Sequence, residues 1–191
     1  MKPFDITLFI STVTWWIFIV YWLIAARKAK RTVERQTMAS RLVVLLTVGG
    51  GCVLLFSSIN NPSLGSRLLP GNLVIRVIGN VCSITGITLA IWARRTLGRN
   101  WSGTITLKED HELIQTGPYR FVRHPIYTAF FLMFLGTAIV VGKVPGFIGF
   151  VMTCFGFSFK LRQEESLMIR HFGKQYVEYK SRVRAVVPWV L

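Results

Sequence analysis

The sequence predicts an all-α polytopic membrane protein. About five transmembrane helices are expected, the last two a helical hairpin, with a cytoplasmic polar region and a C-terminal amphipathic helix. Three observations carry this reading. Of 191 residues, 52% are hydrophobic and only 16% charged, where a soluble domain carries about 25% charged residues. The apolar residues fall into long runs almost free of charge, and mean hydropathy is +0.48. The remaining charges are lopsided, 23 Lys and Arg against 8 Asp and Glu. This apolar content excludes a disordered chain, and three cysteines exclude a disulfide scaffold. A nucleic-acid binder keeps its basic residues on a soluble face, which long apolar runs do not offer.

The first run, Ile6 to Ala26, has 21 residues without a charge, the length that crosses a bilayer core of about 30 Å. Its basic cluster follows the run instead of preceding it, so a retained helix is expected in place of a signal peptide. The second, Leu42 to Ile59, carries Gly49, Gly50 and Gly51 at its centre, which in lipid permit close helix approach. No Gly-Lys-Ser/Thr follows them, so they do not form a P-loop. The third, Leu73 to Ala93, is interrupted only by Arg76, which snorkels to the interface or serves a pore or headgroup site. Pro125 to Val141 and Val144 to Phe159 are shorter, 17 and 16 residues. Only Gly142-Lys143 separates them, and glycine and proline cluster where a hairpin must reverse.

Basic residues set the expected orientation. They crowd the segments after the first, third and fifth runs, while the opposite side holds only Lys2, Arg67 and Lys143. The N-terminus is therefore expected outside and the C-terminus in the cytoplasm, with the net charge serving topology and anionic membrane lipids and no nucleic acid. Cys52, Cys82 and Cys154 fall within apolar runs as small core residues, none at metal-ligand spacing.

Five of the eight acidic residues and all three histidines lie between Glu109 and His171. They belong to two cytoplasmic segments too short to fold alone. In the first, Thr104 to Leu107 reads as a short strand, Glu109 to Glu112 as a polar turn, and Gly117 onward as a Pro-Tyr-Arg-Phe-Val-Arg-His-Pro sequence. Proline favours the first helical position, so Pro125 opens the fourth span. Its helix N-terminus then attracts an anion such as a carboxylate, or Arg123-His124-Pro125 is a plain interfacial cap. In the second segment Leu167, Met168, Phe172, Tyr176 and Tyr179 form an apolar stripe at helical spacing, expected on the membrane surface. Glu164 and Glu165, where the last span ends, are salt-bridge partners of Arg162 or Arg123, or they hold a polar ligand.

Gly117-Pro-Tyr119-Arg-x-x-Arg-His124-Pro125-x-Tyr127, a hydrophobic hairpin, Glu164-Glu165 and Phe172-Gly173-x-x-Tyr176-x-x-Tyr179 together resemble the isoprenylcysteine carboxyl methyltransferase family. The similarity runs from about Leu97 to Pro188. It divides the chain into an N-terminal part, 1–96, of three helices and a methyltransferase core, 97–191. The wider superfamily, with its phospholipid N-methyltransferases, shares much of the pattern. The resemblance implies an integral membrane enzyme that uses S-adenosyl-L-methionine without a Rossmann domain, and no strand here is followed by Gly-x-Gly-x-x-Gly.

It further implies that His111, Glu112, Leu113, Ile114, Tyr119, His124, Pro125, Ile126, Tyr127 and Glu164 hold the cofactor. A basic residue four positions before that glutamate contacts the acceptor. Family members commonly have arginine there. This chain has Lys160, a point charge in place of a planar fork, with Arg162 nearby, and these two are the candidate catalytic residues. Methyl transfer to an ionised carboxylate needs no general base and draws on alignment and exclusion of water. The expected partner is a lipid-tailed or prenylated acceptor, small molecule or protein. The alternatives are N-methylation of a phospholipid or amine lipid, and a catalytically silent lipid-binding scaffold.

Overall fold

In the computed structural model residues 5–27, 38–60, 65–101 and 112–187 are described, and among them every regular element is helical. Helix α1, Ile6–Ala26, starts at Asp5, whose carboxylate accepts from the Thr7 and Leu8 amides. The same carboxylate pairs with Arg76, so that arginine ties two helix ends together.

The second span is compound. Helix α2, Met38–Val44, passes through a π-helical turn, Leu45–Gly49, into α3, Gly50–Asn60. The glycines do not break it, because they let it approach the helix α6, Val144–Phe172. A Cβ on Gly51 would stand 2.6 Å from the Gly149 carbonyl.

Helix α4, Leu73–Leu97, and helix α5, Pro125–Val141, are joined by the same device. Gly79, Ser83 and Gly86 face Gly136, Met133 and Ala129, and a Cβ on Gly86 would meet the Ala129 carbonyl at 2.8 Å. Small residues at such a seam bring backbones close enough for dispersion to hold helices together in lipid. Helix α1 packs against this pair, and its Trp15 Nε1 donates to Thr137 Oγ1 at 2.9 Å.

Four helical segments, Ile6–Ala26, Met38–Ser57, Leu73–Leu97 and Val144–Phe172, are long and apolar enough to cross a membrane. The protein is an integral membrane protein. Helix α5, with 17 residues, is shorter than the other four. At 1.5 Å per residue it reaches about 25 Å, which a locally thinned bilayer accommodates. It turns into α6 at Gly142, whose φ of +66° is left-handed and suits glycine.

Two expectations are corrected. The polar segment after Phe159 does not form a separate surface helix. Helix α6 runs unbroken to Phe172, because nothing interrupts helical propensity before Gly173, whose φ is +53°. The chain then folds back as the short helix α7, Lys174–Arg182. The apolar stripe also faces inward: Leu167, Tyr176 and Tyr179 are buried. The possible strand at Thr104 to Leu107 and the turn at Glu109 to His111 lie outside the described residues.

Candidate active site

A cavity of about 410 Å³ opens where these elements meet. One end is charged. Proline at its first position starts α5 without needing an amide partner, and this sets His124 beside the polar stretch of α6. Helical periodicity on α6 then decides which side chains enter: Phe157, Lys160, Glu164, Leu167 and Met168 line the cavity on one stripe.

The adjacent glutamates separate. Glu164 faces the cavity, where its Oε1 accepts from the Tyr127 hydroxyl at 2.7 Å. Lys160 Nζ lies 4.0 Å from the same oxygen and 5.8 Å from the Tyr127 ring centroid. Glu165 is turned into a buried brace. It accepts from Arg123 Nε at 2.8 Å and from Lys180 Nζ at 2.7 Å, with Arg123 Nη2 and His124 Nε2 beside it. His124 thus sits between two carboxylates, its Nδ1 3.9 Å from Glu164 Oε2.

Backbone carbonyls of the C-terminal stretch meet the two residues that precede α5. The Arg123 and His124 amides donate to the Arg184 and Ala185 carbonyls at 2.8 and 2.9 Å. Thr128 Oγ1 donates to the Val186 carbonyl at 2.7 Å. Chain carbonyls satisfy these donors, and the neighbouring Glu164 and Glu165 stand among Arg123, His124, Lys160 and Lys180. Arg123 also donates to the Lys180 and Val183 carbonyls, closing α7 over the site.

Of the expected cofactor residues, Glu112, Leu113, Ile114, Tyr119, His124, Ile126, Tyr127 and Glu164 line the cavity. Pro125 is buried beneath it, and His111 lies outside the described residues. Lys160 faces in, while Arg162 is exposed on the other side of the α6 stripe. Tyr119 is locked by the Tyr179 hydroxyl, which donates to its carbonyl at 2.5 Å. Burial pushes both phenols well above the ordinary tyrosine value, Tyr119 further helped by the Glu164 charge.

Sequence reasoning did not single out Arg94, Asn100, Trp101 and Trp22. Arg94 is buried, caps α1 through a bond to the Ala25 carbonyl at 2.6 Å, and lies 4.4 Å over the Trp101 ring. Trp101 in turn meets Trp22 edge-on at 5.5 Å, and both line the cavity. In the sequence Arg94 reads only as a topological charge at a span end. Asn100, 8% exposed, lines the same cavity, and its Oδ1 has no hydrogen-bond partner among the described residues.

The donor set suits a small ligand that carries positive charge. A carboxylate among aromatic rings suits a ligand with a sulfonium and an ammonium group, and Asn100 Oδ1 offers an acceptor to an amino or hydroxyl donor.

A sequence model of the phospholipid methyltransferase family matches residues 74–175. Among curated proteins, the chain is 31% identical over 120 residues to the protein-S-isoprenylcysteine O-methyltransferase of Saccharomyces cerevisiae, covering 58% of this chain and 50% of that one. It is 34% identical over 110 residues to protein-S-isoprenylcysteine O-methyltransferase B of Arabidopsis thaliana, covering 56% of each. The Dictyostelium discoideum relative of the same name is 29% identical over 116 residues, 59% of this chain and 49% of the relative. The chain spans about half the length of the curated relatives it matches. The match takes in α4, α5, α6 and most of the residues that line the cavity, and on that ground the chain belongs to the phospholipid methyltransferase family.

Proposed function

We propose that the protein is a membrane methyltransferase that moves a methyl group from S-adenosylmethionine to the carboxylate of an isoprenylcysteine-like, lipid-tailed acceptor. The observation that carries the reading is the cavity itself, charged at the Glu164 end and aromatic at the Phe157 end. Such a cavity suits a polar donor and a greasy acceptor held end to end. The chain's sequence similarity to the isoprenylcysteine O-methyltransferases of yeast and Arabidopsis supports this choice of acceptor.

When bound, S-adenosylmethionine supplies a methyl on a positively charged sulfur, and transfer leaves a neutral thioether and a methyl ester with no proton to move. The residues therefore bind, align and dry the site. Glu164 balances the positive charge of the donor, its position fixed by the Tyr127 hydroxyl. Lys160, between Glu164 and the aromatic half, is placed to hold the acceptor carboxylate as a point charge. Tyr176 and Tyr179 close the roof. The crowd of basic residues at this end supports a cytoplasmic site, with the N-terminus on the other side.

The test is transfer of labelled methyl from S-adenosylmethionine to a farnesylcysteine analogue by the purified full chain. Base-labile label in the acceptor supports the ester. Label in phosphatidylethanolamine instead would replace this reading with N-methylation.

A further inference from the structure

Three helices carry aromatic side chains that descend from the charged end of the cavity. Along α5, Tyr127 is followed by Phe130 and Phe134. Along α6, moving back from Glu164, Lys160 is followed by Phe157. Helix α1 contributes Trp22, then Phe18, then Trp15. At 1.5 Å per residue, Phe157 lies about 10 Å along its helix from Glu164.

The rings meet in layers. Phe130 and Phe157 stack at 5.0 Å with their planes 27° apart, and both line the cavity. Phe130 also meets Phe18 at 5.6 Å and Trp22 at 5.7 Å. Behind them stands a second layer with no part in the lining. Phe134 lies 6.1 Å from Phe157 and 5.0 Å from Trp15, and Trp15 is pinned by its bond to Thr137. The cavity thus ends on rings that are backed by rings.

We propose that the stacked Phe130–Phe157 pair is the floor on which the acceptor's hydrocarbon tail ends, so that these two rings set the longest tail accepted. The inference rests on the acceptor being lipid-tailed, as in the methyl-transfer reading. A floor packed on buried neighbours cannot retreat without straining them. A tail longer than the space must leave part of itself in a worse environment, and each methylene misplaced in an apolar pocket is worth about tenfold or more in discrimination.

The experiment uses the full chain in lipid nanodiscs with geranyl-, farnesyl- and geranylgeranyl-cysteine analogues. Two quantities are read: kcat/KM for each tail, and the rise in thermal midpoint that each tail gives without turnover, S-adenosylhomocysteine being present. Phe157→Ala should raise the preference for the longest tail over the shortest by about tenfold. Phe130→Leu, a milder trim on the facing helix, should shift it the same way, and Phe157→Trp should shift it the other way. Tail preference that is unchanged in all three variants, by both readouts, would overturn the floor and place the tail in the bilayer. A shift in the binding order with no transfer to any analogue would support the floor and remove the methyl-transfer reading instead.

Discussion

Glu164 and Glu165 are neighbours in the chain and perform opposite tasks. Glu164 looks into the cavity with the Tyr127 hydroxyl on its Oε1, whereas Glu165 looks away into Arg123 and Lys180. A helix turns about 100° per residue, and that step is what divides the cavity-facing carboxylate from the bracing one. Glu165→Ala leaves Arg123 buried without its partner, so a loss of about 3 kcal/mol in stability is expected. Its sign is a clearly lowered thermal midpoint in detergent. Glu165→Ala with an unchanged midpoint would contradict the brace.

The C-terminal stretch after α7 holds the start of α5 through backbone bonds to Arg123 and His124. Removing residues beyond Arg182 should therefore weaken S-adenosylhomocysteine binding by at least tenfold while most of the helical signal persists. Thr128→Val removes the hydroxyl's bond to the Val186 carbonyl and its longer one to the His124 carbonyl, with an expected cost of about 1 kcal/mol. Thermal melts and calorimetric titration of the two variants separate these effects.

The α4–α5 seam has no room for a side chain at Gly79. Gly79→Leu would drive carbon into the Gly136 carbonyl, which already stands 2.7 Å from the position of a Cβ. We expect loss of more than 1–3 kcal/mol, the usual cost of overpacking by methylenes alone. The readout is failure to elute as a monodisperse peak. A single well-folded peak at the wild-type midpoint would show that the seam can open.

Stability should fall at alkaline pH. Tyr119 and Tyr179 have their phenol pKa values raised by burial above that of the unfolded chain, so folding retains their protons. Their contribution is full below the ordinary tyrosine pKa of about 10 and is lost as pH rises beyond it. Tyr179→Phe, which removes one titrating group and its bond to the Tyr119 carbonyl, should flatten that alkaline decline. Parallel slopes for the two proteins above pH 10 would contradict it.

Arg94 couples α1 to the cavity wall. Arg94→Met keeps the length of the side chain but loses the cap on Ala25 and the cation over Trp101. Tryptophan emission should shift to the red as Trp101 loosens, and the midpoint should fall. Emission identical to wild type would mean that Trp101 is held by Trp22 alone.

The apolar helices were legible in the sequence, because span length and charge exclusion are one-dimensional properties. So was the polar part of the cavity: Tyr119, His124, Tyr127, Lys160 and Glu164 occur in a recognisable pattern, and the structure places them together. What escaped was whatever depends on the chain returning to itself. The stripe of Leu167, Tyr176 and Tyr179 looked like a membrane-facing surface, since amphipathicity says which residues seek an apolar contact and not which one. The Arg184–Val186 stretch carries no motif at all, because backbone carbonyls do its work. Asn100 gave no signal, since an isolated asparagine after a span reads as a turn.

Calorimetric titration of S-adenosylhomocysteine into the purified full chain and into Glu164→Ala tests the central claim most directly. Saturable binding by the wild type that Glu164→Ala loses, while its thermal midpoint stays within reach of the wild type, is the expected result. Equal affinity in both proteins, or no binding by the wild type, would contradict the claim that this cavity is a methyl-donor site built on Glu164.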